Sequence, residues 1–237
     1  MKPLSALVLL AAAAAALHGN TVTLSIDHLP ATFENGNYGQ PGATYNGFAS
    51  ATIDGISNQM LLCSDAADST PVPSGDMVYD VSTLGGFNPL QYVHFTGPNM
   101  VANYDEAAVL LWQLWNYVTA NGSAASGDTI TDYQYAIWNI FDPYDATTNP
   151  NGIAVNGTQA ALQNTAVGMV DNDGVMLSSD VYPYVTIYTP DPNGGSVGNQ
   201  EFLEFSTPEP GSMFLMIGGG LIGAAAIARK KLRKRPE

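Results

Sequence analysis

The stretch NYDEAAVLLWQLWNYV, residues 103–118, repeats its apolar side chains at helical spacing, with Ala108, Leu111, Trp115 and Val118 on one stripe. Asn103 and Glu106 ahead of that stripe form a predicted N-cap pair. Upstream the pattern is different. VTLSI (22–26), YNGFASATIDG (45–55), QMLLC (59–63) and MVYDV (77–81) are short, rich in β-branched and aromatic residues, and broken by Gly, Pro, Asn and Asp, which reads as strands. Downstream, a second helix is predicted over about 131–141, FDPYDATTNPNG (141–152) as loop, and a third helix over 158–170. Strands return at YVTIYT (184–189) and EFLEFS (201–206), across the turn-forming DPNGGS. Strands, then helices, then strands imply an α+β fold: a β-sandwich or barrel with a helical insertion.

The two ends read as address labels. MKPLSALVLLAAAAAALHG has one lysine, an apolar run and then small residues, the layout of an N-terminal signal peptide spanning 1–19. At the other end, Ser212 to Ala228 carries no charge and is followed by Arg229, Lys230, Lys231, Arg233, Lys234 and Arg235, the pattern of a C-terminal transmembrane helix (212–228) with a cytoplasmic basic tail (229–235). Residues 20–207 are then expected to form one extracytoplasmic α+β domain, and 208–237 a separate sorting segment. Of the 7 Lys and Arg, Lys2 lies in the signal and the others in the tail, so the body has none. Of the 21 acidic residues, all but Glu209 and Glu237 fall in the body. Such a polyanion repels phosphate backbones, which excludes nucleic acid as a partner. Cys63 is the single cysteine, so no internal disulfide can form, although exported compartments favour disulfides.

Pro208-Glu209-Pro210, then an apolar stretch, then a basic end, resembles the PEP-CTERM sorting signal of Gram-negative bacteria. The resemblance implies recognition and cleavage by an exosortase-type enzyme, with membrane anchoring through the C-terminal helix beforehand and delivery to the cell envelope or exopolysaccharide matrix afterwards. Within the body, Tyr45-Asn46-Gly47, Ile53-Asp54-Gly55 and Leu62-Cys63-Ser64-Asp65 resemble the Y-x-G, G and C-x-D pattern of many PEP-CTERM proteins, and Gln134 to Trp138 matches their later Q-Y-A-I-W block. The pair of segments is also similar to thioester domains of Gram-positive surface adhesins. That resemblance implies a bond from the Cys63 thiol to the Gln134 side-chain carbonyl. This chain has Cys-Ser-Asp-Ala where much of the family has Cys-Asp-Asp-Phe.

The chemistry of such a bond is general. A thiolate that attacks a carboxamide and expels ammonia leaves an activated acyl group, provided the site lowers the thiol pKa and excludes water. Tyr133, Tyr135, Ile137 and Trp138 are candidates for the dry wall. A surface amine or hydroxyl would then attack the Gln134 carbonyl and release Cys63, a single-turnover cross-link rather than enzymatic catalysis. Two plainer readings stand beside it. Thr131-Asp132-Tyr133-Gln134 is itself a capping box, and Cys63 can serve as a small apolar filler.

Calcium is a further candidate ligand. Asp171, Asp173 and Asp180, with Gly174, align with the middle and end of an EF-hand-type loop whose first position would be the non-ligating Met169. Asp142, Asp145, Asn149 and Asn151 offer oxygens without a recognisable spacing. No other cofactor is implied. Asp105 and Glu106 are adjacent and point apart on a helix, so they form no facing acid/base pair. His28 and His94 sit in no metal or triad motif. Trp112, Trp115 and Trp138 at helical spacing read as core rather than as a sugar-stacking face. The expectation is an exported envelope or matrix protein that cross-links through Cys63 and Gln134; the alternatives are a non-covalent carbohydrate-binding protein and, third, an extracytoplasmic hydrolase.

Overall fold

The computed structural model describes residues 21–28, 47–66, 74–85, 90, 92–150, 152–194 and 199–206. The expected signal peptide (1–19), Tyr45 and Asn46, the Pro208-Glu209-Pro210 motif, the apolar segment 212–228 and the basic tail all lie outside those residues. The chain divides into units Met1–Phe205 and Ser206–Glu237, and every element below belongs to the first. Six strands, β1 (Thr21–His28), β2 (Phe48–Ile53), β3 (Ile56–Cys63), β4 (Met77–Thr83), β5 (Val185–Pro190) and β6 (Phe202–Phe205), close into a barrel in the order β1-β2-β3-β6-β5-β4. Every pairing is antiparallel. Between β4 and β5 run α1 (Met100–Asn121), α2 (Gly127–Phe141), α3 (Gly157–Asn172) and α4 (Gly174–Asp180). Of the two expected β architectures the barrel is the one adopted, and the helices form one insertion. Among the described residues no helix is long and apolar enough to cross a membrane.

Strand alternation divides the apolar residues between two cores. Leu24, Ala49, Leu61, Cys63, Tyr79, Tyr188 and Phe202, drawn from all six strands, pack together as the barrel interior. Their neighbours Phe48, Leu62, Ile187 and Leu203 belong instead to the core shared with α1 and α2. The β2–β3 hairpin is set by Asp54-Gly55, where both residues take positive φ, 48° and 79°. That is the two-residue turn whose twist matches paired strands, and only the glycine adopts it without a Cβ penalty.

The helix caps differ from the expectation. Asn103 lies inside α1, which starts at Met100, and its side-chain amide donates to the Ile140 carbonyl at 3.4 Å instead of capping. Glu106 likewise stands within the helix. Thr131 is one turn inside α2 and buried, so the expected 131–134 box does not cap either. The box that forms is Asn156 with Gln159: the Asn156 side chain accepts from the Thr158 and Gln159 amides, and Gln159 accepts from the Asn156 amide at 2.9 Å. Asn156→Ala is expected to lower the unfolding free energy by about 1 kcal/mol in urea titration. An unchanged midpoint would show that α3 does not depend on this cap.

Candidate functional site

Strand β3 ends at Cys63, and α2 crosses that end of the barrel. Two residues of α2, Gln134 and Trp138, stand one turn apart on the same stripe and converge on one atom. The Cys63 carbonyl oxygen accepts from Gln134 Nε2 at 2.5 Å and from Trp138 Nε1 at 3.1 Å. Gln134 is 0% exposed, and its side-chain oxygen accepts from the Gly47 amide at 3.4 Å. Gly47 sits at φ 110°, a conformation that side chains rarely adopt. A buried carboxamide without partners would cost several kcal/mol at most and about 1 at least, so these contacts fix its position and orientation. Trp138 and Tyr135 pack with Cys63 in the barrel core, and their rings lie 5.2 Å apart. Ile137 and Tyr133, also expected to wall the site, pack against the helical core instead.

The Cys63 thiol is buried, donates to the Asp65 carbonyl at 2.7 Å and accepts from the Asp65 amide at 3.3 Å. Burial pushes its pKa far above the ordinary thiol range, and the nearby Asp65 and Glu201 carboxylates push the same way. The lowered thiol pKa that the acyl chemistry asks for is not what the free thiol shows: with no Lys or Arg in the body, only main-chain and indole donors offset desolvation. The group is held as a neutral thiol.

A set of polar side chains that the sequence reading did not bring together surrounds this end of β3. Asp65, 1% exposed, faces His94 Nδ1 at 3.2 Å, while the His94 side chain is 42% exposed. Glu201, 0% exposed, accepts from Tyr104 OH at 2.7 Å, Ser64 Oγ at 3.0 Å, Thr189 Oγ1 at 2.7 Å and the His94 amide at 2.8 Å. Burial raises its pKa, and these four donors oppose the rise. The signal available in the sequence was slight: a glutamate opening the FLEF strand of a body with no cationic partner. Next to His94 lies a cleft of about 450 Å³, lined also by Phe95, Asn99, Asn103, Phe141 and Pro143. Its rings stack, His94 on Phe95 at 4.8 Å and Phe95 on Phe141 at 4.6 Å.

The acidic candidates for calcium fall differently. Asp171 is in α3, Asp173 joins α3 to α4, and Asp180 ends α4, so the segment is helical where a ligand loop was expected. Asp180 accepts from Ser179 Oγ at 2.7 Å. Asp145 closes its own turn through the Thr147 and Thr148 amides, and Asp142 accepts from the Asn149 amide group at 2.6 Å. Among the described residues no three His, Cys, Asp or Glu side chains are grouped to hold a metal ion. Trp112 and Trp115 pack against the helical core, and Trp138 is buried at the site.

Comparison with known proteins adds the following. Residues 206–231 match the PEP-CTERM protein-sorting motif, so the chain carries a signal that marks export, membrane anchoring before processing, and processing by an exosortase-type enzyme. No curated protein matches the chain. Among solved structures it is similar to the N-terminal domain of the Streptococcus pyogenes pilus tip adhesin Cpa, at 11% identity and a TM-score of 0.42, over 80% of this chain and 95% of that one. A second is the N-terminal thioester domain of a protein F2 like fibronectin-binding protein from Streptococcus pneumoniae, at 14% identity and a TM-score of 0.34, over 79% and 94%. Likenesses of this size carry no residue role to this chain.

Several carboxyls titrate above their ordinary range because burial disfavours the charge: Glu201, Glu204, Glu106, Asp80 and Asp105, the last raised to about 6. A carboxyl with a higher pKa folded than unfolded binds its proton more tightly in the native state, so native stability falls as pH rises from the ordinary carboxylate range through about 6. The thermal midpoint is therefore expected to be higher at pH 5 than at pH 7.5. Solvent screening at half-buried Asp105 limits its share to about 1 kcal/mol. Asp105→Asn should flatten the dependence, and a midpoint that rises with pH would contradict it.

Proposed function

We propose that this is an exported surface protein, released to the cell envelope or extracellular matrix after exosortase-type processing, whose body forms a covalent adhesive link through a thioester between Cys63 and Gln134. The observation that supports the reading is the placement of Gln134: a fully buried carboxamide on a helix, hydrogen-bonded to the main chain of the only cysteine. Formation would join Sγ to the Gln134 acyl carbon and release ammonia, which carries away the thiol proton. The link would turn over once, with the protein as reagent rather than catalyst. The buried rings of Tyr135 and Trp138 favour survival of such an acyl group against water. Gly47 N–H, directed at the Gln134 side-chain oxygen, is a donor of the kind that stabilises the oxyanion formed on attack.

A second reading, non-covalent binding of exopolysaccharide, is favoured by the cleft beside His94, whose walls carry the side-chain amides of Asn99 and Asn103. The two are separable by intact mass of the purified chain against Cys63→Ser from the same preparation. The thioester predicts a wild-type deficit of one ammonia beyond the substitution itself, with no thiol titratable before methylamine treatment and one afterwards. Gln134→Ala should restore a titratable thiol under denaturing conditions. Full mass with a free thiol in the wild type would reject the thioester and leave the glycan reading. Peptide mapping requires pepsin or chymotrypsin, because the body has no Lys or Arg.

A further inference from the structure

Strand β3 meets α2 at a carbonyl that takes two side-chain donors. The β2–β3 register pairs Phe48 with Leu62, which puts Gly47 opposite Cys63 at the end of the ladder. The Gln134 carboxamide bridges those two residues: its oxygen accepts from the Gly47 amide at 3.4 Å and its nitrogen donates to the Cys63 carbonyl at 2.5 Å. The second donor to that carbonyl is the Trp138 indole N–H at 3.1 Å, from the next turn of α2. A carbonyl oxygen has two lone pairs, so the two side chains use both. Removing one of two donors from a buried acceptor costs little, whereas removing the last leaves it unsatisfied at the full desolvation penalty.

The two donors part company in the thioester reading, on which this inference rests. There Sγ bonds to the Gln134 acyl carbon, the carbon–nitrogen bond breaks, and the nitrogen leaves as ammonia with the thiol proton. The departing nitrogen is the atom that donates to the Cys63 carbonyl. The oxygen half of the bridge stays, with the Gly47 N–H directed at it. Of the two side-chain donors to the carbonyl, only Trp138 remains. We propose that Trp138 is a positioning residue of the acyl state: its indole N–H holds the Cys63 carbonyl once the Gln134 nitrogen has gone, keeping the end of β3 against α2 and the acyl bond out of water. An indole suits that task. Its N–H donates only, carries no charge and is no nucleophile, so it cannot consume the acyl group it guards. The ring is 1% exposed and packs with Cys63 and Tyr135 in the barrel core, so the donor arrives together with the dry wall. A lysine could donate to the same oxygen but would bring an attacking amine, and the body has none.

The test uses the full chain with two tryptophan analogues placed at position 138 alone: fluorotryptophan, which keeps the N–H, and benzothienylalanine, which keeps the ring shape but has sulfur in place of the N–H. Each chain is weighed for the ammonia deficit and then followed in buffer as water restores the acid and the thiol. Fluorotryptophan should match the wild type, and benzothienylalanine should lose the deficit about tenfold faster. A tryptophan that only fills space would give the same rate with both. Thermal midpoints supply the second readout. In the ammonia-deficient chain benzothienylalanine should lower the midpoint by about 5 °C relative to fluorotryptophan, because the Cys63 carbonyl loses its last side-chain donor. In Cys63→Ser, which keeps the Gln134 nitrogen, the two analogues should differ by less than about 2 °C, which also shows that the analogue chain folds. Equal persistence of the deficit with both analogues, or an equal midpoint drop in the ammonia-deficient and Cys63→Ser chains, overturns this proposal and leaves the thioester standing. A wild-type chain of full mass with a free thiol overturns both.

Discussion

The constraint on which the structure turns is the absence of any lysine or arginine from the body while it folds around carboxylates. A buried anion in most proteins meets a lysine or arginine; here each must be met by hydroxyls, main-chain amides or histidine. Glu201 collects two hydroxyls from the barrel wall, the Tyr104 phenol of α1 and the His94 amide of the loop after β4. One carboxylate thereby ties four separate segments to the end of β6. Glu204 repeats the solution on a smaller scale, accepting from Tyr188 at 2.6 Å. Hydrogen bonds to a charged acceptor are worth more than neutral ones, but they do not cancel desolvation, and the upward pKa shifts are the remainder.

This arrangement also decides what the end of β3 can be. Its carbonyl accepts twice from α2, its sulfur is gripped by Asp65, and its surroundings are acidic and dry. An isolated thiol there is inert: raising its pKa removes the thiolate that oxidation, metal binding and alkylation all require. A leucine in place of Gln134 would fill the space but leave the Gly47 amide without its acceptor and the Cys63 carbonyl with one donor fewer. The amide thus does what packing alone would not, joining the Cys63 carbonyl on β3 to the Gly47 amide ahead of β2.

How much of this was legible in the sequence follows from the range of each interaction. The strand segments, the three main helices and the loop at 141–152 rest on local period and turn chemistry, and the barrel core repeats the alternation visible in QMLLC. Helix starts were misplaced because Asn103, Glu106 and Thr131 match a local cap pattern, while tertiary packing extends α1 and α2 beyond those residues and recruits Asn103 to Ile140. The segment around the calcium candidates shows the same effect: Asp171, Asp173 and Asp180 have approximate loop spacing, but Leu177 and Val181 are fully buried and draw the segment into helix. Cys63 and Gln134 were paired only by resemblance. Nothing local signals that Asp65, His94, Tyr104, Thr189 and Glu201 meet, because a closed barrel brings together residues more than a hundred positions apart, as Ser64 and Glu201 show.

The buried acids and the proposed acyl store bear on one another. A thioester would replace an ionisable thiol by a neutral group, removing from the site a member whose ionisation Asp65 and Glu201 oppose. The same carboxylates that make the free thiol a poor nucleophile make the thiolate a poor leaving group, which slows loss of the acyl group to stray water as well as to partners.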